Sequence, residues 1–214
     1  MNGLKPIVLL PARERVASEL RKAILSRQIE AGEVLTLEAV AEQLGVSATP
    51  VREAFQILSR DGLIRLKTNK GAVVLGMTRE RLREHYQVRA ALESEACILC
   101  CEGEADLGKI AHSVQSARSA LEADNSARYG DFNQSFHYEI WKASGNEKLK
   151  SMLSELWNGL SMGVESTVSA YAQGSQREHE EILSALQARD AANASAAMRR
   201  HILRSLEDML TRYE

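Results

Sequence analysis

Cysteine, proline and aromatic residues are all scarce in this 214-residue chain: three cysteines, three prolines, and aromatics at 5%. The cysteines fall in a single run, CILCC, as Cys97, Cys100 and Cys101. A Cys-x-x-Cys pair can be half of a zinc site or a thiol pair, but no second pair exists to complete a zinc site. On a helix Cys97 and Cys101 lie one turn apart, where cysteine serves as a small buried apolar residue. Scarce proline beside abundant Ala, Leu, Glu and Arg points to a mainly helical chain. No apolar run approaches the roughly 20 residues a membrane span needs, so no membrane partner is expected. The run Ile7–Leu10 is stopped by Pro11 and is too short for a signal-peptide core, which makes the cytoplasm the expected location.

An excess of one charge is also missing overall, with a net of −2, yet the charge is unevenly divided. Residues 1–78 carry 11 Lys/Arg against 8 Asp/Glu, and residues 79–214 carry 16 against 21. A mildly basic N-terminal part on an acidic C-terminal part suits a nucleic-acid module joined to a separate sensing body. With 44% apolar and 26% charged residues the chain can build a real core, and its length allows two modest domains.

Residues 12–28 read as an amphipathic helix with Val16, Leu20, Ile24 and Leu25 on one side. Thr36 can cap a second helix that runs to Leu44, with Leu37, Val40, Ala41 and Leu44 inward, and Gly45 ends it. Ser47 can cap a third helix, in whose first turn Pro50 is tolerated because those amides lack helical partners. Val51, Ala54, Phe55 and Leu58 form its inner face, and Gly62 terminates it. The apolar runs Leu63–Leu66 and Ala72–Leu75, separated by KTNKG, read as a β-hairpin.

Helix, short helix, tight turn, helix and hairpin is the winged helix-turn-helix layout, with the third helix destined for a DNA major groove. The stretch VSATPVREAFQILSRDGLI followed by KGAVV closely resembles the N-terminal domain of GntR-family transcription regulators. Thr49, Arg52, Glu53 and Gln56 project from the outer face of the third helix. Arg52 can grip phosphate or pair bidentately with guanine. Ser47 and Thr49 can donate to phosphate at the helix N-terminus. Lys67, Lys70 and the Gly71 backbone would set the wing against the DNA. The residue before Thr-Pro is often Arg in this family and is Ala48 here, so one base-reading side chain is missing.

Thr78 can cap a helix over residues 79–101 with the stripe Leu82, Tyr86, Arg89 or Ala90, Glu93, Cys97 and Cys100. Arg89 and Glu93, four apart, can pair. A helix over 106–123 follows. The next stretch, YGDFNQSFHYEIWKAS, places Tyr129, Phe132, Phe136, Ile140 and Trp141 on one apolar face together with Asn133 and His137. Gly145 and Asn146 end that helix and cap another, read as residues 147–171 with Leu149, Leu153, Leu156, Leu160 and Val164 inward. Ser175-x-x-Glu178 reads as a capping box that opens a helix bearing His179, Ile182, Leu183 and Leu186 on one face. The last helix, 191–213, brings Met198, His201, Ile202 and Ser205 near one another.

His137, His179 and His201 therefore each lie in the inward stripe of a different helix. A single histidine so placed is usually a hydrogen-bonded core residue. Three in one small helical domain suggest a divalent-metal site, although spacing cannot show convergence when no two share a helix.

VRAALE, FNQSFHYEIWKASGN, EHEEILSALQARD and MRRHI resemble segments of the metal-binding FCD effector domain of FadR-type GntR regulators. The resemblance implies His137, His179 and His201 as ligands, with a fourth from Asn133, one turn before His137, where the family commonly has Asp. It also implies that Arg89 points into an effector cavity, with Glu93 and Tyr86 beside it. Three neutral imidazoles and an amide leave the metal charge uncompensated, which favours an anionic ligand such as an effector carboxylate. Zinc is the default ion, with nickel and manganese as alternatives.

The expected architecture is mainly α: a winged helix-turn-helix in residues 1–76, a linker at 77–78, and an all-helical bundle in 79–214. The short second domain suits the six-helix, VanR-like version of the fold. The expected function is that of a homodimeric repressor on a two-fold double-stranded DNA operator, responsive to a small organic acid. Competing readings are a metal-dependent hydrolase or lyase using the three histidines, and a metal-free effector and dimerisation module. Glu180 is next to His179 in sequence rather than across from it, so the enzyme reading lacks an obvious general base.

Overall fold

Apolar residues three and four apart bury one face of each N-terminal helix in the computed structural model, which describes residues 11–25, 27–68, 71–157 and 168–211. Ile7–Leu10, Lys70, Leu160, Val164 and Tyr213, used in the sequence reading, lie outside those residues. The described residues form two compact units, one ending at Met77 and the other beginning at Thr78. In the first unit α1 (Ala12–Leu25) buries Val16, Ala17, Leu20, Ile24 and Leu25. Helix α2 (Leu37–Leu44) is capped by Thr36, whose Oγ1 accepts from the Ala39 amide at 3.2 Å, and it ends at Gly45 with φ +63°. Helix α3 (Ala48–Arg60) buries Val51, Ala54, Phe55 and Leu58. Ser47 holds the N-cap position with extended backbone, but its side chain makes no capping hydrogen bond. That hydroxyl is exposed to solvent instead of serving the helix.

Asp61, at the end of α3, meets the buried guanidinium of Arg21 at 2.5 Å and so joins α3 to α1. Gly62 follows with φ +71°, and Leu63 then enters the core at 1% exposure. The hairpin consists of β2 (Ile64–Lys67) and β3 (Gly71–Val74), paired antiparallel from Ile64↔Val74 to Lys67↔Gly71. A third strand, β1 (Val34–Leu35), pairs antiparallel with the other edge of β3. Two residues are too short to show an alternating pattern, so the sequence reading contained no such strand. This pairing also explains Gly71: its φ is +87°, and a Cβ there would run into the carbonyl oxygen of Leu35. Glycine at this position is required by the sheet itself.

The second unit contains six helices among the described residues: α4 (Arg79–Glu102), α5 (Gly108–Glu122), α6 (Ser126–Ala143), α7 (Glu147–Trp157), α8 (Val168–Gln187) and α9 (Ala191–Leu210). Thr78 caps α4 by accepting from the Arg81 amide at 3.2 Å. Arg189, in the turn before α9, donates to the carbonyls of Cys100 and Gly103 at 2.7 Å and of Ala105 at 3.1 Å. It thereby satisfies acceptors that the end of α4 leaves open. All three cysteines are free and buried, and burial pushes the Cys100 thiol up to about 11.

Two expected boundaries are corrected. The helix beginning at Glu147 is described only to Trp157, and Tyr171 belongs to α8. Ser175 and Glu178 do not form a capping box; both sit inside α8 and face Arg204 of α9, with Ser175 only 1% exposed. A serine three residues before a glutamate makes the same local pattern whether it caps a helix or binds a partner across the bundle.

Replacing Gly71 with Ala should cost about 1–3 kcal/mol from backbone conformation alone and more from the clash with Leu35. Gly45→Ala, at φ +63° with open space around it, should cost only about 1 kcal/mol. Denaturant unfolding of the two variants checks this ordering, and equal losses would refute the packing argument.

Candidate metal centre

Helical periodicity turns His137 of α6, His179 of α8 and His201 of α9 inward, and all three are buried. One ligand atom from each lies within 4.8 Å of the others. His201 Nε2 is 3.3 Å from His137 Nε2 and 3.3 Å from His179 Nε2. Nitrogens held about 2.0–2.1 Å from one tetrahedral ion are themselves roughly 3.3–3.4 Å apart. The two pairs made by His201 therefore have the spacing of ligands on a shared ion, and the third pair lies within 4.8 Å.

The far sides of two rings strengthen the fit. Glu93 Oε2 is 2.5 Å from His137 Nδ1, and Glu178 Oε2 is 2.7 Å from His201 Nδ1. A carboxylate can only accept, so each Nδ1 carries the proton and each Nε2 presents a lone pair to the other. Two lone pairs at 3.3 Å repel unless a cation lies between them. The donor set thus matches a divalent metal that accepts imidazole nitrogen. His179 differs: its ring stacks on Phe136 with centroids 4.0 Å apart, and its buried Nδ1 has no hydrogen-bond partner among the described residues.

Glu93 is fully buried and has three donors around it. Arg89 Nε lies 2.6 Å from Oε1, and Trp141 Nε1 donates to Oε2 at 3.2 Å alongside His137. The Arg89 guanidinium rests 4.2 Å from the Trp157 ring centroid and 5.7 Å from that of Tyr86. Glu178 is gripped on its other side by Arg204, at 2.5 Å to Oε1 and 2.8 Å to Oε2. Arg204 also donates to Ser175 Oγ at 2.8 Å and pairs with Asp208.

Burial dominates the titration of the histidines. It lowers His137 from the ordinary 6.5 to about 4, against the opposing pull of Glu93. Burial and then the neighbouring imidazoles hold His179 well below its usual range, and burial lowers His201 despite Glu178. Burial also works against ionising Glu93, but the charges of His137 and Arg89 and the bonds from His137 and Trp141 bring it to about 2. Glu178, likewise opposed by burial, is brought to about 2 by His201 and Arg204. Neutral imidazoles with free lone pairs are the form a metal takes.

The structure thus brings together His137, His179, His201, Glu93 and Arg89, with Tyr86 beside Arg89. Asn133 is half-buried one turn before His137 on α6. Glu180 is turned away, paired with Arg118 at 2.6 Å and Gln176 at 2.7 Å. Sequence reasoning placed Trp141 on the His137 face but missed Glu178, Arg204 and Trp157 as neighbours of the histidines. Glu178 precedes His179 by one residue, which on a helix points it to a different side, toward α9. In the first unit Ser47, Thr49, Arg52, Gln56 and Lys67 are all exposed, Gly71 is half-buried, and Lys70 lies outside the described residues.

Each imidazole accepts a proton more readily in the unfolded chain than in the fold. As pH falls below about 6.5 the unfolded chain takes up protons first, so stability present above that pH is lost down through about 4. His137 alone contributes on the order of 3 kcal/mol to this loss. Glu93 and Glu178 extend it from 4.5 toward 2. The metal-free protein should show a melting temperature flat between about pH 7 and 8 and falling between about 6.5 and 4, a fall lessened by His137→Asn. Circular dichroism melts across that range check it, and a flat profile would contradict the buried neutral imidazoles.

Comparison with known proteins fits both units. The profile described as bacterial regulatory proteins, gntR family, matches residues 12–74, and that of the FCD domain matches residues 84–204. The HTH-type transcriptional regulator LutR of Bacillus subtilis (strain 168) is 30% identical over 216 residues, covering 89% of this chain and 97% of LutR. The gluconate operon transcriptional repressor of the same organism is 32% identical over 72% of this chain. The match spans 62% of that repressor, about three-fifths of its length. The solved structure of E. coli McbR/YncC shares the fold, with a TM-score of 0.76 over 96% of this chain and 100% of its own at 22% identity. LutR and McbR are described as HTH-type transcriptional regulators and the gluconate protein as a transcriptional repressor. Among the described residues no helix is long and apolar enough to cross a membrane. The chain belongs to the GntR family of bacterial regulatory proteins and carries a C-terminal FCD domain.

Proposed function

We propose that this chain is a homodimeric DNA-binding repressor whose operator affinity is set by a small carboxylate-bearing metabolite bound at a divalent metal in the second unit. The observation that carries the reading is the convergence of three imidazole Nε2 atoms, with the lone pairs of His137 and His201 facing each other. Residues 1–76 read DNA and residues 79–214 sense the metabolite, joined at 77–78. In a two-fold operator each α3 enters one major groove, with Arg52 and Gln56 toward base edges and Ser47, Thr49, Lys67, Lys70 and the Gly71 backbone on phosphates. All of these side chains that are described stand exposed, which is what that role requires.

His137, His179, His201 and Asn133 would hold the ion, zinc by default, which when bound supplies positive charge and a position open to an anionic oxygen. The residues around it leave that charge standing. Asn133 is neutral, Glu93 is offset by Arg89, and Glu178 is offset by Arg204. Arg89, with Tyr86 and Glu93 on the same face of α4, lies on the His137 side as a second anchor for the anion. A metabolite shifts operator affinity only as far as it prefers one arrangement of the protein over another. The hydrolase or lyase reading loses support because both carboxylates near the histidines are engaged at Nδ1, away from the open side.

Native mass spectrometry of protein purified without a His-tag should show a dimer with one divalent ion per chain, and metal-free monomer would refute the reading. Asn133→Asp should tighten metal binding on the order of tenfold and weaken the heat of binding of short carboxylic acids. If isothermal titration detects neither change, Asn133 is not a ligand. Arg52→Ala should weaken binding to duplexes selected from a random pool by roughly 10- to 100-fold. Unchanged anisotropy titrations would remove Arg52 from the DNA contact.

A further inference from the structure

Two of the three histidines are backed by the same arrangement, built from different helices. In the first, α4 supplies both the arginine and the glutamate: Arg89 Nε to Glu93 Oε1 at 2.6 Å, and Glu93 Oε2 to His137 Nδ1 at 2.5 Å. In the second, α8 supplies the glutamate and α9 the other two: Arg204 Nε to Glu178 Oε1 at 2.5 Å, and Glu178 Oε2 to His201 Nδ1 at 2.7 Å. In each, one carboxylate oxygen meets a guanidinium and the other an imidazole; Arg204 also reaches Glu178 Oε2, and Trp141 also donates to Glu93 Oε2. His179 has no such backing, since its Nδ1 is unpartnered and its ring is held by stacking on Phe136.

We infer that Glu93 and Glu178 are positioning residues for metal ligation, each fixing one imidazole in the Nδ1–H form so that Nε2 is always the atom offered. This rests on the metal reading above. The physical basis is the acceptor-only character of a carboxylate, which leaves the ring no choice of form. A hydrogen bond at Nδ1 also raises the donor strength of Nε2 and fixes the plane of the ring. Arg89 and Arg204 complete each arrangement by orienting the carboxylate, because a guanidinium beside one oxygen sets where the other points. His179 is the ligand whose form is set only when the ion binds.

Glutamine is isosteric with glutamate but can offer its amide hydrogens to the ring. In a Glu→Gln variant Nδ1 can become the acceptor and the proton can move to Nε2, which removes the lone pair facing the site. Glu93 is fully buried and its carboxylate is the ion-pair partner of Arg89, so Glu93→Gln puts folding at risk. Glu178, with a side chain 23% exposed, allows the same test at lower risk. Glu180→Gln is the control: it removes one negative charge next to His179 in sequence from a group paired with Arg118 and Gln176.

The experiment is zinc competition against a chromophoric chelator using full-length protein stripped of metal, with circular dichroism to check folding and cobalt(II) absorption to report the ligand field. Glu178→Gln should bind zinc 10- to 100-fold more weakly and shift the cobalt bands, while Glu180→Gln should match the unaltered protein. A folded Glu93→Gln should lose a similar factor. Wild-type zinc affinity and unshifted cobalt bands in a folded Glu178→Gln would overturn the inference and leave the metal site standing. Equal weakening by Glu180→Gln would also overturn it, because the effect would then be general charge loss. Absence of zinc binding in the unaltered protein would overturn the metal reading itself.

Discussion

A carboxylate with no exposure to water, Glu93, sets the terms for the second unit. Moving such a group out of water costs several kcal/mol unless its charge and lone pairs are met. Here an arginine, a histidine and a tryptophan meet them, from α4 and α6. Satisfying Glu93 fixes the rotation of α6 about its axis, since His137 and Trp141, one turn apart, must both face the same oxygen. His137 in turn faces His201, which is fixed from behind by Glu178 and Arg204. One continuous set of polar contacts therefore runs through α4, α6, α8 and α9 inside an otherwise apolar bundle. An apolar stripe fixes which face of a helix turns inward only to within its width of about 100°, whereas this set of contacts favours one rotation.

The surrounding apolar residues exclude water from that set and shape it. Phe136 stacks on His179, and Trp157 lies 4.8 Å from His137 between centroids and beneath the Arg89 guanidinium. Arg189 closes the end of α4 and keeps the helix bearing Arg89 and Glu93 intact up to the turn. In the first unit a smaller version of the same device appears: buried Arg21 against Asp61 ties α1 to the end of α3. There the pairing holds the helix whose outer face remains in water.

Much of this was legible in the sequence because helical periodicity is local. The inward positions of His137, His179 and His201, the i to i+4 pair of Arg89 and Glu93, and the caps at Thr36, Gly45 and Thr78 follow from residues a few positions apart. What was not legible depends on partners far along the chain. The carboxylate behind His201 is 23 residues away, and that behind His137 is 44 away. The Ser175-x-x-Glu178 pattern looked like a helix start because sequence cannot show Arg204 on the other side. Strand β1 was invisible at two residues, and only the structure shows that a Cβ at Gly71 would run into the Leu35 carbonyl of that strand.

The placement of charge carries one further consequence for the proposed centre. Both glutamates lie behind imidazoles, where they strengthen the nitrogens as ligands, and each is already paired with an arginine. Asn133, half-buried one turn before His137, would stand where the family commonly has an aspartate. In the proposed centre the strength of metal binding would come from carboxylates that do not touch the ion, and no group of the set would neutralise its charge. An aspartate would do both from the front and leave little for an incoming anion to gain. With an amide there, the oxygen completing the proposed centre would have to bring its own negative charge, as a carboxylate does.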